Sequence, residues 1–259
     1  MKIRNRRLLA TLNLAGQGLE YGPLDKVIVP KSVCPGVKYV DFTDREGLLK
    51  KCEANEKIRP EDIPDIDIVT DGRSISSYVE DGTQDFVIAS HVLEHIPNFI
   101  GWLKENLRLL VPGGKIAIAY PDRRYCLDIA RSKSRLSELI AADLERRTRP
   151  SFSQICDFVL NARRVDAASI WDGKVTAETA THAHDRDRAL SILRDRVASD
   201  AYFDAHCWVF ADHELYEMLE TIKSYLRLPY EIISFIPTKR NGLEFLLTLE
   251  KTDGPVPAT

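Results

Sequence analysis

Between residues 85 and 122, the hydrophobic positions form a short apolar run, then recur at helical spacing, then form a second apolar run. This pattern predicts a strand, a helix and a second strand. Residues 86–89 and 115–120 are short apolar runs with β-branched side chains, which is typical of strands buried on both faces. A Pro-Gly-Gly triplet at residues 112–114 ends the helix and turns the chain. A strand, a crossover helix and a second strand form a βαβ unit, so the pattern predicts a parallel sheet. The apolar side chains at helical spacing are Ile100, Leu103, Leu107 and Leu110.

The rest of the chain shows the same two kinds of pattern. Apolar runs at residues 37–42 and 66–70 predict two more strands. Two final runs, at residues 230–237 and 243–250, flank an Asn-Gly pair, which is a strong signal for an antiparallel hairpin. The alternation of strands and helices predicts an α/β fold. Helical patterns occupy five further stretches: residues 45–54, 134–147, 151–163, 186–198 and 212–226.

Length and composition limit the class of protein. The 259 residues suit one α/β domain with an insertion or two small domains, and 44% hydrophobic residues is ordinary for a globular protein. A net charge of −3 gives no electrostatic case for nucleic acid as a partner. The five cysteines are widely spaced, so reduced thiols in a cytoplasmic protein are the simplest interpretation. His182 and His184 lack a third ligand and are interpreted as loop residues, so no metal centre is predicted.

The pattern at the N-terminus bears on a possible signal peptide, and the pattern at the C-terminus bears on whether the tail is ordered. The first 16 residues place basic residues before an apolar run, but Asn13 interrupts that run and no cleavage site of a signal peptide follows. We therefore expect a first amphipathic helix that packs on the sheet. No apolar run approaches the length of a membrane span. Residues 252–259 contain a glycine and two prolines and are predicted to be a disordered tail.

Two motifs carry a resemblance to a known family. SHVLEHIPN follows the strand at residues 86–89, and LRLLVPGGKIAIAYPD covers the end of the helix and the next strand. Together they resemble the fourth-strand and fifth-strand region of the S-adenosylmethionine-dependent methyltransferases with a Rossmann-like sheet. The likeness is to type 11-like small-molecule and glycan methyltransferases that contain a VLEH sequence. It covers residues 17–125 well and residues 206–251 more loosely.

The resemblance implies a fold and a domain organisation. It implies a Rossmann-like, doubly wound, mostly parallel sheet with a C-terminal antiparallel hairpin, whose first strand lies at residues 17–22. Residues 1–125 and 206–251 would form the methyltransferase core. Residues 126–205 would form a helical insertion after the fifth strand, which would cover the substrate as a lid.

The implied cofactor is S-adenosylmethionine, and the residues implied to bind it lie where strands end. Glu20, Gly22 and Pro23 stand where the family has an acidic residue and a glycine-rich turn, although this chain has proline where more glycines are common. A plain strand-to-loop turn is the alternative. Ser90 and His91 follow the fourth strand, and ligands of open α/β sheets bind beyond the carboxyl ends of the strands.

Two further carboxylates are candidates for binding the nucleoside. Asp41 ends the second strand 21 residues after Glu20, which is the spacing of a ribose-binding carboxylate in nucleotide-binding sheets. The alternative is a cap on the turn that follows. Asp71 and Gly72 follow the third strand, where the resemblance implies contact with the adenine amino group. An ordinary Asp-Gly turn is the alternative there.

Three residues are candidates for catalysis. His95 lies in the turn after the fourth strand, and an imidazole could take the proton of a substrate hydroxyl near neutral pH. Bracing of the helix start together with Glu94 is the alternative. His206 lies in DAHCW, which resembles a DxHxW-like sequence of the glycan-associated relatives, and it competes with His95 for the role of base. Asp122 follows the fifth strand and could bind or deprotonate a hydroxyl.

Candidates for acceptor binding lie in the same two segments. Arg123 and Arg124 could pair with a phosphate or a carboxylate, with a solvated basic turn as the equal alternative. Tyr125 belongs to the same PDRRY loop, which resembles a sequence in the glycan-linked relatives. Trp208 could stack on a sugar ring, although core packing is favoured for it.

These residues predict methyl transfer from S-adenosylmethionine to a small-molecule or glycan acceptor, with a hydroxyl as the expected target. One alternative is a methyltransferase fold that has lost catalysis and serves as a binding module in a biosynthetic assembly. The reduced glycine turn favours that alternative, and the VLEH sequence opposes it. A nucleotide-dependent oxidoreductase is a further alternative, but it predicts a GxGxxG turn that the sequence lacks.

Overall fold

A mixed sheet organises the chain in the computed structural model, which describes residues 2–53, 55–56, 58–199 and 201–257. The strands in chain order are β1 (Gly18–Tyr21), β2 (Val37–Asp41), β3 (Ile68–Val69), β4 (Gln84–Ser90), β5 (Leu110–Pro121), β6 (Arg163–Arg164), β7 (Thr181–His182), β8 (Tyr230–Ile236) and β9 (Glu244–Lys251). Among the described residues, seven of them form one sheet in the order β3-β2-β1-β4-β5-β9-β8. Strands β1 to β5 are parallel, whereas β9 is antiparallel to β5 and β8. The predicted fold class, with its C-terminal antiparallel hairpin, is confirmed.

Helices connect these strands and cover both faces of the sheet. They are α1 (Ile3–Leu8), α2 (Arg45–Cys52), α3 (Phe99–Leu109), α4 (Leu136–Leu144), α5 (Phe152–Asn161), α6 (Ala167–Trp171), α7 (Arg186–Val197) and α8 (Asp212–Leu226). Local side chains set several of the starting points. Asp44, Asn98 and Ser151 each accept a backbone N–H at the start of a helix, which satisfies a donor that the helix itself leaves unpaired.

The two faces of the sheet bury separate apolar layers. Strand β4 shows the division, because Val87 and Ala89 join one layer while Phe86 and Ile88 join the other. This is the two-residue alternation of a strand that is covered on both sides. The first layer includes apolar side chains of α3, α4 and α8, and the second includes Leu8 of α1. The first helix therefore packs on the sheet, as the sequence predicts.

A helical insertion follows β5 and contains α4 to α7. A separate apolar cluster joins α5 to α7, with Ile155, Val159, Ala189 and Leu193 at its centre. The ribbon β6–β7, which pairs Arg163 with His182, was not expected, because two-residue strands carry no detectable period. Across the part of the chain that is described, no helix is long and apolar enough to cross a membrane.

Strand β5 starts earlier than the sequence indicates. Gln84 pairs with Leu110, and Phe86 pairs with Lys115, so the residues between 110 and 115 bulge out of the ladder. The Pro-Gly-Gly triplet lies in this bulge, where Gly113 adopts φ +75°. The helix therefore ends at Leu109, before the triplet, and Leu110 belongs to the strand and not to the helix as predicted. The triplet forms an irregular first part of the strand rather than a turn between the helix and the strand.

The predicted limits of two other segments also change. The helix expected at residues 45–54 ends at Cys52, and Ala54 lies outside the described residues. In the tail that was expected to be disordered, Thr252 N–H donates to Pro229 O at 3.0 Å and Val256 packs against the core. Residues 258–259 of that tail lie outside the described residues.

Gly18 of β1 generates a stability prediction, because a Cβ at this position would overlap the ring of Phe86. We predict that Gly18→Ala lowers the free energy of unfolding by about 1–3 kcal/mol, since an overpacked core has to shift. Phe86→Leu in the same chain should recover part of this loss. Urea unfolding of the wild type, the two single variants and the double variant measures the coupling between the sites. Strictly additive effects would show that the ring does not restrict residue 18.

Candidate active site

The carboxyl ends of the parallel strands lie at one edge of the sheet, where the predicted cofactor residues are found. Thr70 N–H donates to Asp41 O at 2.9 Å, and Asp71 N–H donates to Phe42 O at 3.2 Å. These bonds join the ends of β2 and β3, so Asp41 and Asp71 are neighbours. Asp71 and Gly72 are exposed and have φ values of +47° and +78°, which turn the chain sharply at this edge.

Asp41 presents a half-buried carboxylate beside an exposed aromatic ring. Phe42 N–H donates to Asp41 Oδ1 at 2.7 Å. Burial raises the pKa of Asp41, and the Phe42 amide and the charge of Lys51 oppose that rise. The Phe42 side chain is 52% exposed and stacks on Tyr202, with ring centroids 5.8 Å apart. A carboxylate next to such a ring suits a nucleoside, because ribose hydroxyls can donate to the one and a base can stack on the other.

Glu20 at the end of β1 is buried and is bound by the backbone. Ile28 N–H and Val29 N–H donate to its two carboxylate oxygens at 2.7 and 2.9 Å. Burial raises the pKa of Glu20 to about 7, although both amides and the charge of Arg4 act in the opposite direction. This carboxylate therefore holds the loop that follows β1.

The turn after β1 keeps one glycine where geometry requires it. Gly22 has φ +57°, and a Cβ there would lie 3.0 Å from Val92 Cγ2. Pro23 beside it is buried. The predicted cofactor turn is thus packed closely against the turn that follows β4.

Ser90 and His91 are held by an ion pair between α1 and β9. Arg4 binds both carboxylate oxygens of Glu244 at 2.8 Å and donates to Ser90 Oγ at 2.6 Å. His91 Nε2 lies 2.7 Å from Glu244 Oε2. Burial would raise the pKa of Glu244, but hydrogen bonds from Arg4 and His91 outweigh it and lower the pKa to about 2. The side chains of Ser90 and His91 are therefore engaged within the protein.

The return segment, residues 201–211, leads from the insertion back to α8 and binds the turn after β4. Cys207 N–H donates to Glu94 O at 2.6 Å. Trp208 Nε1 donates to Ile96 O at 2.7 Å. These bonds fix the distance between two segments that are far apart in the sequence.

His95 and His206, the two predicted bases, are brought together by this contact. Their rings are perpendicular, with an interplanar angle of 85° and centroids 4.7 Å apart. His95 Nδ1 lies 2.8 Å from Asp204 Oδ1, and His206 Nδ1 lies 2.6 Å from Asp128 Oδ2. Because a carboxylate can only accept a hydrogen bond from Nδ1–H, each neutral ring keeps its lone pair on Nε2. Both Nε2 atoms can therefore act as a base or as a metal ligand.

Asp204 links this pair to the cofactor edge of the sheet. Burial would lower the pKa of His95, but the hydrogen bond with Asp204 and the charges of Glu94 and Asp204 raise it. Lys51 Nζ of α2 donates to Asp204 Oδ2 at 2.8 Å. Burial opposes the change, yet His95 and Lys51 hold the pKa of Asp204 well below its usual range. The return segment thus ties α2 to the turn after β4, beside Asp41.

Asp122 does not share this arrangement. Its buried carboxylate accepts hydrogen bonds from Arg124 Nε at 2.9 Å, Arg124 Nη2 at 2.6 Å and Thr238 Oγ1 at 2.7 Å. Arg124 also pairs with Asp212 at 2.6 Å. Both oxygens of Asp122 are engaged by these donors, so Asp122 and Arg124 hold each other in place, and their catalytic and acceptor-binding roles stay predictions.

The remaining predicted acceptor residues are also engaged by the protein. Arg123 binds both oxygens of Glu214 at 2.8 Å. Tyr125 stacks on Trp171, with ring centroids 3.9 Å apart. Trp208 is 1% exposed and belongs to the core, which is the alternative that the sequence favours for it. These contacts hold the three side chains in place without a bound acceptor, and their roles in acceptor binding stay predictions.

Several residues of the site were not singled out from the sequence. Phe42 could have been found, because it follows Asp41 directly. Glu94 was considered only as a brace for the helix. Asp204 begins the DAHCW sequence but was given no role of its own. Lys51 and Asp128 gave no local signal, because each acts on a partner that is distant in the sequence.

Comparison with known proteins gives one family match. A family model described as a methyltransferase domain matches residues 6–222. No curated protein sequence matches the chain.

Three similar solved structures illustrate the range of likenesses. Zn-dependent alcohol dehydrogenases from Rhodobacter sphaeroides are 15% identical, with 97% of this chain and 91% of that chain covered and a TM-score of 0.48. SAM-dependent methyltransferases from Methanosarcina mazei are 15% identical, with 95% of this chain and 97% of that chain covered and a TM-score of 0.45. An S-adenosylmethionine-dependent methyltransferase from Listeria monocytogenes is 12% identical, with 97% of this chain and 100% of that chain covered and a TM-score of 0.47. At these TM-scores the likenesses carry no argument about function.

Glu20 generates a prediction about pH and stability. Its pKa is raised from 4.5 to about 7 in the folded chain, so the folded state binds the proton more tightly than the unfolded state. The stabilisation is complete below pH 4.5 and is lost as the pH rises through 7. We expect this group to lower the free energy of unfolding by roughly 2–3 kcal/mol between about pH 5 and pH 7.5. Glu20→Gln should remove that part of the pH dependence.

Urea unfolding at both pH values measures this difference. Glu80→Gln, a change at an exposed residue, is the matched control and should keep the wild-type pH dependence. Equal pH dependence in the wild type and in Glu20→Gln would place the titrating group elsewhere.

Proposed function

The chain belongs to the methyltransferase domain family, and on that basis we propose that it methylates a hydroxyl group of a small-molecule or glycan acceptor. Family membership makes the protein an enzyme of the S-adenosylmethionine-dependent methyltransferase class. S-adenosylmethionine is the methyl donor. The acceptor class and the methylated atom are what we propose.

The observation that favours a hydroxyl acceptor is the pair formed by His95 and His206. A hydroxyl has to lose its proton as its oxygen attacks, whereas a neutral amine attacks through a lone pair that it already has. Asp204 and Asp128 hold the Nδ1 atoms of the two rings, which leaves both Nε2 lone pairs available. A group at this position that receives the proton would add about 10² to 10⁴-fold to the rate.

Cofactor binding is assigned to the ends of the first three strands. Asp41 would accept hydrogen bonds from the ribose hydroxyls, and the exposed ring of Phe42 would stack against the adenine. Asp71 exposes a carboxylate for the adenine amino group, next to Gly72, which leaves room for the ring. Gly22 allows the backbone to approach the amino-acid end of the cofactor. Four further predicted residues would act by shaping the turns around it: Glu20, Pro23, Ser90 and His91.

The helical insertion, residues 126–205, would hold the acceptor and exclude water. The sulfonium methyl group is already electrophilic, so alignment is the main requirement. Holding an acceptor near attack distance can supply roughly 7–11 kcal/mol of the barrier. A cytoplasmic location, where thiols stay reduced, suits the five free cysteines.

Methyl transfer is tested with S-adenosylmethionine that carries a tritiated methyl group. The chain is incubated with monosaccharides, nucleotide sugars and catechols, and with matched amines and thiols. We expect S-adenosylhomocysteine and labelled product with a hydroxyl compound. Absence of cofactor binding by calorimetry would overturn the proposed function, and transfer only to amines or thiols would overturn its hydroxyl part.

The same assay tests the two histidines at saturating cofactor. His95→Ala and His206→Ala should each lower turnover by about 10² to 10⁴-fold, because the hydroxyl proton then has no receiving group. His213→Ala changes an exposed histidine and is the control. If neither His95→Ala nor His206→Ala is slower than the wild type, neither histidine takes part in the reaction.

Asp41 generates a prediction about cofactor affinity. Asp41→Ala should weaken the binding of S-adenosylmethionine by about 1.5–3 kcal/mol, because charge-assisted hydrogen bonds to the ribose are lost. Asp65→Ala, at an exposed position before β3, should bind as the wild type does. Calorimetry on the folded variants measures both. Unchanged affinity in Asp41→Ala would remove this residue from the cofactor site.

A further inference from the structure

Glu94 has a buried carboxylate without hydrogen-bond partners. The side chain is 1% exposed, and neither oxygen is bonded to a group in the described part of the chain. His91 Nδ1 and His95 Nε2 lie 3.7 and 3.9 Å from Glu94 Oε1, which is too far for hydrogen bonds. Most buried carboxylates are paired, because an isolated buried charge is strongly disfavoured. A cation at this position would remove the penalty.

Two imidazoles lie beside this carboxylate. The ligand-type atoms of Glu94, His95 and His206 all lie within 4.8 Å of one another. Asp204 and Asp128 bind the Nδ1 atoms of the two rings at 2.8 and 2.6 Å. A carboxylate on the second nitrogen is how proteins orient histidines that bind metals, since it fixes both the tautomer and the ring.

We propose that Glu94, His95 and His206 bind one divalent transition-metal ion. Two imidazoles and one carboxylate suit Zn²⁺, Fe²⁺ and Mn²⁺. Metal–ligand bonds of about 2.0–2.2 Å place neighbouring ligand atoms roughly 3–3.5 Å apart, so the three side chains have to close by about 1 Å. Three protein ligands leave a coordination position open, which is the arrangement of a catalytic metal site.

Neighbouring charged side chains hold His206 in this position. Arg131 Nη1 binds Asp128 Oδ1 at 2.7 Å, and Arg131 Nη2 donates to His206 O at 2.9 Å. Arg131 is buried and also binds Asp157 at 2.7 Å. The ring and the backbone of His206 are therefore fixed by one connected group of charges, so little rearrangement is needed on this side of the site.

The role of the ion rests on the proposed function, because its open position would take the acceptor hydroxyl. The ion would draw electron density from that oxygen, and the O–H proton would leave to water as the acceptor enters the open position, before water is excluded. The oxygen would then attack the methyl carbon, so that a C–O bond would form while the C–S bond breaks. The products are the methyl ether and S-adenosylhomocysteine. With the ion bound, His95 and His206 would act as its ligands, and the loss of turnover expected for His95→Ala and His206→Ala would then follow from the loss of the ion.

Metal binding is measured on the full chain without a histidine tag. After treatment with a chelator and gel filtration, Zn²⁺, Mn²⁺ and Co²⁺ are each titrated by calorimetry, and bound metal is counted by mass spectrometry. We expect about one ion per chain and a visible Co²⁺ spectrum typical of nitrogen and oxygen ligands. Glu94→Gln and His206→Gln should each weaken binding by more than about 100-fold, and Asp128→Asn by about 10 to 100-fold. His213→Gln, at an exposed histidine, should bind as the wild type does.

Thermal unfolding separates the loss of a ligand from the loss of the fold. Because the Glu94 carboxylate is buried without partners, Glu94→Gln should raise the Tm of the metal-free chain. Added Zn²⁺ should raise the Tm of the wild type and leave that of Glu94→Gln unchanged. Equal responses of both chains to Zn²⁺ would overturn the site. A wild-type chain that binds none of the three ions would also overturn it.

These outcomes can be told apart from those of the methyl-transfer assay. A chain that binds an ion but yields no S-adenosylhomocysteine with any acceptor keeps the metal site and loses the proposed function. A chain that binds no ion and turns over equally after chelation keeps the function and loses the metal site. Turnover that is lost on chelation and restored by added metal would support both.

Discussion

One backbone hydrogen bond holds the two halves of the site together. Cys207 N–H donates to Glu94 O at 2.6 Å, and this bond joins the turn after β4 to the return segment. Because main-chain atoms form it, the bond sets the position of both segments independently of their side chains. The bond also brings His95 and His206 together, because His95 follows Glu94 and His206 precedes Cys207. The chemistry at this edge of the sheet therefore depends on a contact between two segments that the insertion separates in the sequence.

Three buried carboxylates are shielded from water to a similar extent, but the protein gives each of them different partners. Asp122 faces the guanidinium of Arg124, which donates to both of its carboxylate oxygens. Glu20 faces two backbone amides, which offset burial only in part, and its pKa rises to about 7. Glu94 is as deeply buried as either, but it faces imidazole nitrogens at 3.7 and 3.9 Å without a hydrogen bond. The contrast with two satisfied carboxylates in the same fold is what sets Glu94 apart.

The sequence predicted the elements that depend on local pattern. The helix at residues 212–226 has the expected limits, and the hairpin at the C-terminus follows its Asn-Gly turn, because period and turn chemistry are properties of neighbouring residues. Asp41 was predicted at the end of one strand from its spacing, and Asp71 after the next strand from the resemblance; these two strands, β2 and β3, are neighbours in the sheet. The ribbon β6–β7 was missed, because two residues cannot show a period.

Site residues were harder to predict, because their roles depend on distant partners. Arg123 looks like an anion-binding residue until Glu214 is found 91 positions away. His206 is one of two candidate bases, and the partner that leaves its Nε2 free is Asp128, 78 positions earlier. No local pattern encodes either pairing. The sequence could therefore indicate which residues have useful chemistry, but not which of them the fold had already engaged.

The insertion has two structural tasks, and different parts of it perform them. Its two ends meet at the histidine pair, because Asp128 and Arg131 come from its beginning and Asp204 from its end. The helices α5 and α7 between those ends pack on each other through an apolar cluster of their own. The insertion thus keeps the side chains that bind the histidine pair separate from the apolar cluster that packs its helices.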